Sequence, residues 1–506
     1  MSPELPPPRE AGALVLKALL GGLLIVLLTS AAVASAVLLK VDELVESTID
    51  QTPAAVFKAG VIDAPKPGEP QTLLLVGTDR RYGAGKGEAL SDTMMLIRLD
   101  PKQKATSVLN VPRDLLVDIP GHGRAKINSA YPLGGLSLVT ETVKATLGLR
   151  KVHHAMAVDF RGFRSVVNAL GCIYTDVDRR YYNDNTQGGE DYAVIDVKPG
   201  YQRLCGQRAL DYVRYRHGDS DFVRAARQQT FLRDAKDQVG TGRLISEYET
   251  LLQIFGRSTQ TDPGLHENKQ VLRLFAQAAL VAGKPVRQVP FPREDGLDAT
   301  EGGLGSYVTA STDQLLQTRT RFLAATREKQ TLVRPKAVRD GAKRARAGRR
   351  TTLEDFGLVD ATAQGRAVAA PVVRAGKVDF PVYVPRGLTA RGRWTGSPPV
   401  PRTYTLRDRA GRPHRAYRLV FTQDQLNGDY YGVQGTTWRS PPILANGGER
   451  LRMRGRDYEL FYDGKRLRIV AWRTKSAVYW VTNSLGLALT NTELLGIARS
   501  LTRVGA

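Results

Sequence analysis

From about residue 71 onward the chain switches between two hydrophobic rhythms. The continuous apolar runs "TLLLVG" (72–77), "TMMLIRLD" (93–100) and "ATSVLNV" (105–111) have the length and β-branched content of buried strands. "SLVTETVKATLG" (137–148) and "FRSVVNALG" (163–171) instead space their apolar residues three and four apart and stop at glycine, as amphipathic helices do. Further helical patterns follow in "RAARQQTFLRDAKDQV" (224–239) and "VLRLFAQAALVAG" (271–283). Strands alternating with helices predict a layered α/β/α domain on a central mixed sheet, over residues 71–326. Between 327 and 375 the rhythm dissolves into "RPKAVRDGAKRARAGRR", whose charge and shortage of apolar residues predict a basic linker. Residues 376–506 read as a small α+β domain. Alternation runs through "ERLRMRGRDYELFYDGKRLRIVAW", Asp463-Gly464 marks a hairpin turn, and Thr490 with Glu493 forms a capping box ahead of a final helix.

The N-terminus adds a compartment. "ALLGGLLIVLLTSAAVASAVLL" (18–39) is uncharged and long enough to cross a bilayer. It predicts a cytoplasmic tail (1–17), one transmembrane helix, a stalk (40–70) and an extracytoplasmic bulk; a signal peptide cleaved near "AVASA" is the alternative. The only cysteines, Cys172 and Cys205, then read as one disulfide, with two buried thiols as the alternative. Lys and Arg outnumber Asp and Glu by 73 to 50, a net charge of +23 that implies anionic partners. Nucleic acid is not among them, since no basic-aromatic recognition module is present and the chain is read as exported.

The chemistry concentrates at predicted strand ends. "GAGKG" (83–87) is not a phosphate-binding loop, because Arg80 and Gly87 occupy positions that need Gly and Ser/Thr. Asp79 follows the first strand and Asp92 opens the second, hard oxygen ligands suited to Mg²⁺, although two loop aspartates alone are more often solvated or capping. Arg113 and Asp114 stand past the third strand. "DYVRYRHGDSDFVRAARQQTFL" supplies Arg214, Arg216, Arg224 and Arg227, with Arg224, Arg227 and Gln228 read as one helix face. Several guanidinium forks converging on one place suit a pyrophosphate. His153-His154 has no companion ligands and reads as structural.

The ordered blocks "LLLVGTDRR", "SDTMMLIRLDP", "VPRDLLVDIPG", "KINSAYPLGG", "VDFRGFRSVVNALG" and "RYRHGDSDFVRAARQQ" resemble the LytR-CpsA-Psr family over roughly residues 71–325. The resemblance implies a membrane-anchored phosphotransferase. Its donor would be a glycan on a polyprenyl-pyrophosphate carrier, and its acceptor peptidoglycan, at the C6 hydroxyl of N-acetylmuramic acid. It implies Asp79 and Asp92 as the acidic pair around Mg²⁺, with Arg113, Arg214 and Arg216 as the phosphate clamp. Arg81, Lys126, Asn128, Arg224, Arg227 and Gln228 would bind pyrophosphate, supported by Asp114 and Asp221. Leu90 departs from the pattern, since many relatives have arginine there, and Cys172 stands where many have glycine. A trough for the lipid is expected between the sheet and the helices at 136–149 and 159–171. A hydrolase that releases the polymer, or a non-catalytic envelope regulator, are the alternatives.

Overall fold

The computed structural model describes residues 55–78, 91–186, 193–215, 219, 221–239, 247, 250–251, 253–254, 259–281, 286–292, 299–300, 306–324, 351–374, 378–395, 402–425, 427–453 and 455–504. The tail, the apolar run at 18–39 and the linker up to 350 lie outside these residues. Among the described residues no helix is long and apolar enough to cross a membrane.

In chain order the first domain runs β1 (Gln71–Thr78), β2 (Ser91–Asp100), β3 (Ala105–Val111), β4 (Leu116–Ile119), β5 (Gly123–Lys126), α1 (Ala130–Thr146), β6 (His154–Val158) and α2 (Phe160–Ala169). It continues through β7 (Ile173–Val177), β8 (Tyr181–Asn183), β9 (Ile195–Val197), β10 (Gly200–Leu204), α3 (Gly206–Arg214) and α4 (Asp221–Gln238). β11 (Thr259–Thr261), α5 (Asn268–Val281), β12 (Val286–Val289) and α6 (Thr312–Leu323) complete it. Six strands make the central sheet in the order β11-β6-β1-β2-β3-β12. β1 pairs antiparallel with β2 and parallel with β6, and β3 pairs parallel with β12, so the sheet is mixed as expected.

Strand periodicity sorts the side chains. Leu74 and Val76 of β1, Met94 and Leu96 of β2, and Ala155 and Ala157 of β6 point to one face, where they pack with Leu136, Val139 and Val143 of α1 and Phe322 of α6. Their neighbours one residue along point to the other face, roofed by α2, α3, α4 and α5. His154, on β6, is fully buried with Nδ1 3.5 Å from Asp262, and burial lowers the pKa of His153 to about 4 while its Nδ1 accepts from the Thr72 amide. Both histidines are structural.

Two boundaries differ from the sequence expectation. Residues 55–70 are not a free stalk: Ala55 and Val61 are buried, and Asp63 holds Lys144 at 2.8 Å and the Val152 amide at 3.1 Å. The basic linker also ends early. Glu354–Phe356, Leu358–Asp360 and a helix at Thr362–Arg374 belong to the second domain, with Phe356, Leu358, Ala361 and Ala369 in its core. That domain is mostly sheet. Arg393–Thr395 and Arg402–Arg407 pair with Pro413–Asp424, followed across the sheet by Asp429–Thr436, Val478–Thr482, Arg466–Arg473, Arg456–Asp463 and Glu449–Met453. Helix Asn491–Ser500 covers it, and its Thr490–Glu493 capping box is present as read.

The second domain docks on β7, β10 and α4 through a buried polar and aromatic seam. Arg418 reaches both oxygens of Asp176, at 2.9 and 3.0 Å, and Trp480 donates its indole N–H to the same carboxylate at 2.7 Å. Burial pushes this carboxyl upward and Arg418 opposes the shift. Arg233 of α4 pairs with Asp463 at 2.6 Å, and Tyr201 stacks edge-on against Trp480. Such pairs contribute little net stability but cost much when one partner is lost, so they fix how the two domains meet.

Candidate active site

The roofed face of the sheet does not close. Between it and the helices lies a cavity of about 540 Å³, lined by Leu73, Leu75 and Gly77 of β1 and Thr93, Met95, Ile97 and Leu99 of β2. Phe160, Phe163, Val166 and Leu170 of α2, Phe231 and Leu232 of α4 and Leu274 of α5 supply the roof. The expected trough is therefore present along the helix at 159–171, but the helix at 136–149 is not its wall. That helix packs on the opposite face, because the apolar stripe of α1 is filled by Leu74, Val76 and Leu96.

Polarity appears at one end, where the lining becomes Thr93, Asp159, Arg214, Arg224 and Gln228. Asp159 caps α2, accepting from the Gly162 amide at 2.7 Å. Arg214 ends α3, held by Asp211 at 3.0 Å with its guanidinium 5.3 Å from the Phe160 ring centroid. Gln228 donates to Thr93 Oγ1 at 2.9 Å and accepts from Asn110 Nδ2 at 3.1 Å, tying α4 to the ends of β2 and β3. Asp92 precedes Thr93 on β2, which sets its backbone at this end of the cavity; its side chain, and that of Asp221 at the start of α4, lie outside the described residues. Asp79, Arg81 and Arg216 lie outside them altogether.

A second cluster sits at the same sheet edge. Arg113 and Lys126 both pair with Asp114, at 3.2 and 3.5 Å. The Asn128 amide donates to the Arg113 carbonyl, and the Asn128 carbonyl accepts from Ser91, the residue before Asp92. Arg113, Asp114, Lys126 and Asn128 are thus joined in one cluster, one residue from Asp92.

Arg227 is placed differently. Along α4, residues 224, 228, 231 and 235 line the cavity, four and then three or four apart, and 227 falls about 100° away from 228 on the helix. Its side chain is fully buried, donates to Asp219 and to the Tyr215 carbonyl, and lies 4.5 Å over the Tyr181 ring. Burial disfavours its charge, yet Tyr181 and Asp219 outweigh this and hold its pKa above the ordinary arginine value. Arg227 thus faces away from the cavity and holds Tyr215 and Asp219 from behind. Asp219, shared by Arg227 and Arg179, is the centre of this network. Sequence spacing offered nothing to separate it from Asp221 two residues on.

Cys172 and Cys205 are bonded, joining the end of α2 to the start of α3. Cys172 has φ +63°, the left-handed region glycine prefers. Among the described residues no group of three or more His, Cys, Asp or Glu side chains could hold a metal, and the two aspartates assigned to Mg²⁺ are not described with their side chains, so no step is derived through that ion.

With this geometry in place, known proteins give it a context. The LytR_cpsA_psr family matches residues 31–323. A polyisoprenyl-teichoic acid–peptidoglycan teichoic acid transferase, TagU of Enterococcus faecalis, is 29% identical over 40% of this chain and 65% of its own length. The regulatory protein MsrR of Staphylococcus aureus is 33% identical over 34% of this chain and 50% of its own. The crystal structure of TagV from B. subtilis aligns at 25% identity over 51% of this chain and 98% of its own, with a TM-score of 0.42. The chain spans less than two thirds of the length of these curated relatives.

Proposed function

The chain belongs to the LytR-CpsA-Psr family, and from that premise we propose that it is a membrane-anchored, extracytoplasmic phosphotransferase that moves a glycopolymer from a polyprenyl-pyrophosphate carrier to peptidoglycan. The observation that carries this reading is the cavity: a long apolar chamber that ends among Arg214, Arg224 and Gln228 beside the strand bearing Asp92. In this reading an isoprenoid tail occupies the apolar part and its pyrophosphate lies at the cationic end. The teichoic acid transfer named for the E. faecalis relative agrees in chemistry.

In the step we infer, a muramic C6 hydroxyl attacks the glycan-bearing phosphorus. A new P–O bond forms, the bridging P–O bond breaks, and polyprenyl phosphate leaves with its electron pair. The hydroxyl proton passes to a carboxylate, Asp79 in our assignment. Arg113, Arg214, Arg216 and Arg224 neutralise the charge that gathers on the phosphoryl oxygens, the main demand of phosphoryl transfer. Asp92 and Asp79 would hold Mg²⁺, which would add positive charge at the same oxygens. The residues at 18–39 would supply the anchor.

Incubation of the full chain with a lipid-linked glycan and peptidoglycan should yield a phosphodiester-linked conjugate. Release of free glycan phosphate at the same rate with and without acceptor would instead identify the hydrolase. The regulator named by the S. aureus relative remains the second reading, and complete lack of turnover with tight lipid binding would favour it.

A further inference from the structure

The second domain lies outside the family match, yet it touches the arginine-bearing segment directly. Its turn at 424–429 closes on itself, Asp424 accepting from the Asn427 amide at 3.1 Å and its side chain at 2.7 Å. Gly428 in this turn has φ +67° and presses on the first turn of α4: a Cβ there would fall 2.8 Å from a Val223 methyl. Two residues on, Tyr430 is buried, and the Arg179 guanidinium lies 5.1 Å from its ring centroid. The other rings around Arg179, Tyr181 at 4.7 Å and Tyr215 at 5.5 Å, come from the first domain.

Arg179 matters because of what it holds. It shares Asp219 with Arg227, and Arg227 also takes the Tyr215 carbonyl. Both arginines are held above the ordinary arginine pKa, against burial, by Tyr181 and Asp219. Tyr215, Asp219 and, through Val223, the start of α4 are therefore three held points. Arg214 and Arg224, which line the cavity, flank these points in sequence, and Arg216 falls among them along the chain. Two of the three points lean on the second domain.

We propose that Tyr430 and the Gly428 turn are positioning elements of the active site, and that the second domain sets the placement of Arg214 and Arg224 rather than only appending a module. The inference rests on the transfer reading above, in that its kinetic consequence is a turnover effect. Lipid affinity, supplied by the apolar cavity, is left alone. A displacement of catalytic groups by less than an ångström costs turnover on the order of tenfold or more.

The test uses the full chain and four variants: Tyr430→Ala, Tyr430→Phe, Gly428→Ala and, as a control at a distant part of the same seam, Arg402→Ala, which loses a bond to the Pro199 carbonyl. Turnover and KM for the lipid-linked donor, affinity for an uncharged polyprenol that carries no phosphate, thermal midpoint and amide hydrogen exchange over 215–224 are measured. Tyr430→Ala should lower kcat about tenfold with lipid affinity unchanged, and should speed exchange over 215–224. Tyr430→Phe, which keeps the ring, should restore both. Gly428→Ala should lower kcat, and a Val223→Ala companion should recover part of it by making room. Wild-type kcat and exchange in Tyr430→Ala, or an equal kcat loss in Arg402→Ala, overturns the proposal. If the wild-type chain shows no transfer, the functional reading fails, and the exchange data alone still decide whether the second domain holds this segment.

Discussion

The two faces of the central sheet use the same strands for opposite ends. On one face Leu74, Val76 and Leu96 are fully buried and interlock with α1 and α6. On the other, Leu73, Leu75 and Ile97 are only half-buried, because helices roof them at a distance and leave the cavity between. One face is filled by its own chain, as protein interiors normally are. The other leaves apolar surface lining a cavity, the form most small-molecule and lipid sites take. An apolar strand is thus compatible with either, and only the distance of the helices decides.

Substitutions on each face put this contrast to the test. The largest effect belongs at the polar end of the open face. Arg224→Ala should reduce transfer about a hundredfold or more while the thermal midpoint moves little; an equal fall in stability would make Arg224 a structural residue. On the filled face, Leu96→Ala should destabilise by about 3 kcal/mol in urea unfolding. Its lipid affinity should stay unchanged. On the open face, Leu75→Ala should cost less than about 1 kcal/mol of stability, because Leu75 is only half-buried and borders the cavity, and should weaken lipid binding several-fold. If Leu75→Ala and Leu96→Ala behaved alike, the two faces would not differ as described.

The smallest effect concerns α4, which has two faces of its own. Opposite the cavity, Asp234 is buried with Thr175 Oγ1 at 2.5 Å, and burial raises its pKa to about 6. A carboxyl raised in the folded state favours folding when protonated, so its contribution is present below the unfolded value near 4 and is lost as pH rises toward 6. Asp234→Asn should flatten the stability change between about pH 4 and 6 relative to the parent chain, measured by chemical unfolding at each pH. A steeper slope in the variant would reverse the assignment.

The strands, the α/β/α layering and the gathering of Arg113, Asp114, Lys126 and Asn128 were legible because each follows from local pattern and motif. The side of the sheet on which the apolar cavity lies was only half legible. Helices α1 and α2 have the same kind of apolar stripe, and nothing in a stripe records how closely it approaches the sheet. Arg227 was misread because a three-residue step on a helix lies on the same broad face as a four-residue step, yet about 100° separates residues 227 and 228. The helix Thr362–Arg374 was missed for another reason. Its interior Gly365 and Pro371 look like breakers, but Gly365 lies where Pro385 and Trp394 approach closely, with 3.2 Å to the Pro385 carbonyl from a would-be Cβ. Asp219 and Arg179 left no local trace at all, since their partners come from segments distant along the chain.

The bond between Cys172 and Cys205 ties together two of the helices that roof the cavity. Thiols inside a cell stay reduced, and such a bridge persists only outside it. On the extracytoplasmic reading proposed above, the chamber would acquire its finished roof only after export. A chain still awaiting export would carry an unfastened receptacle, less able to sequester carrier lipid before it reaches its place of work.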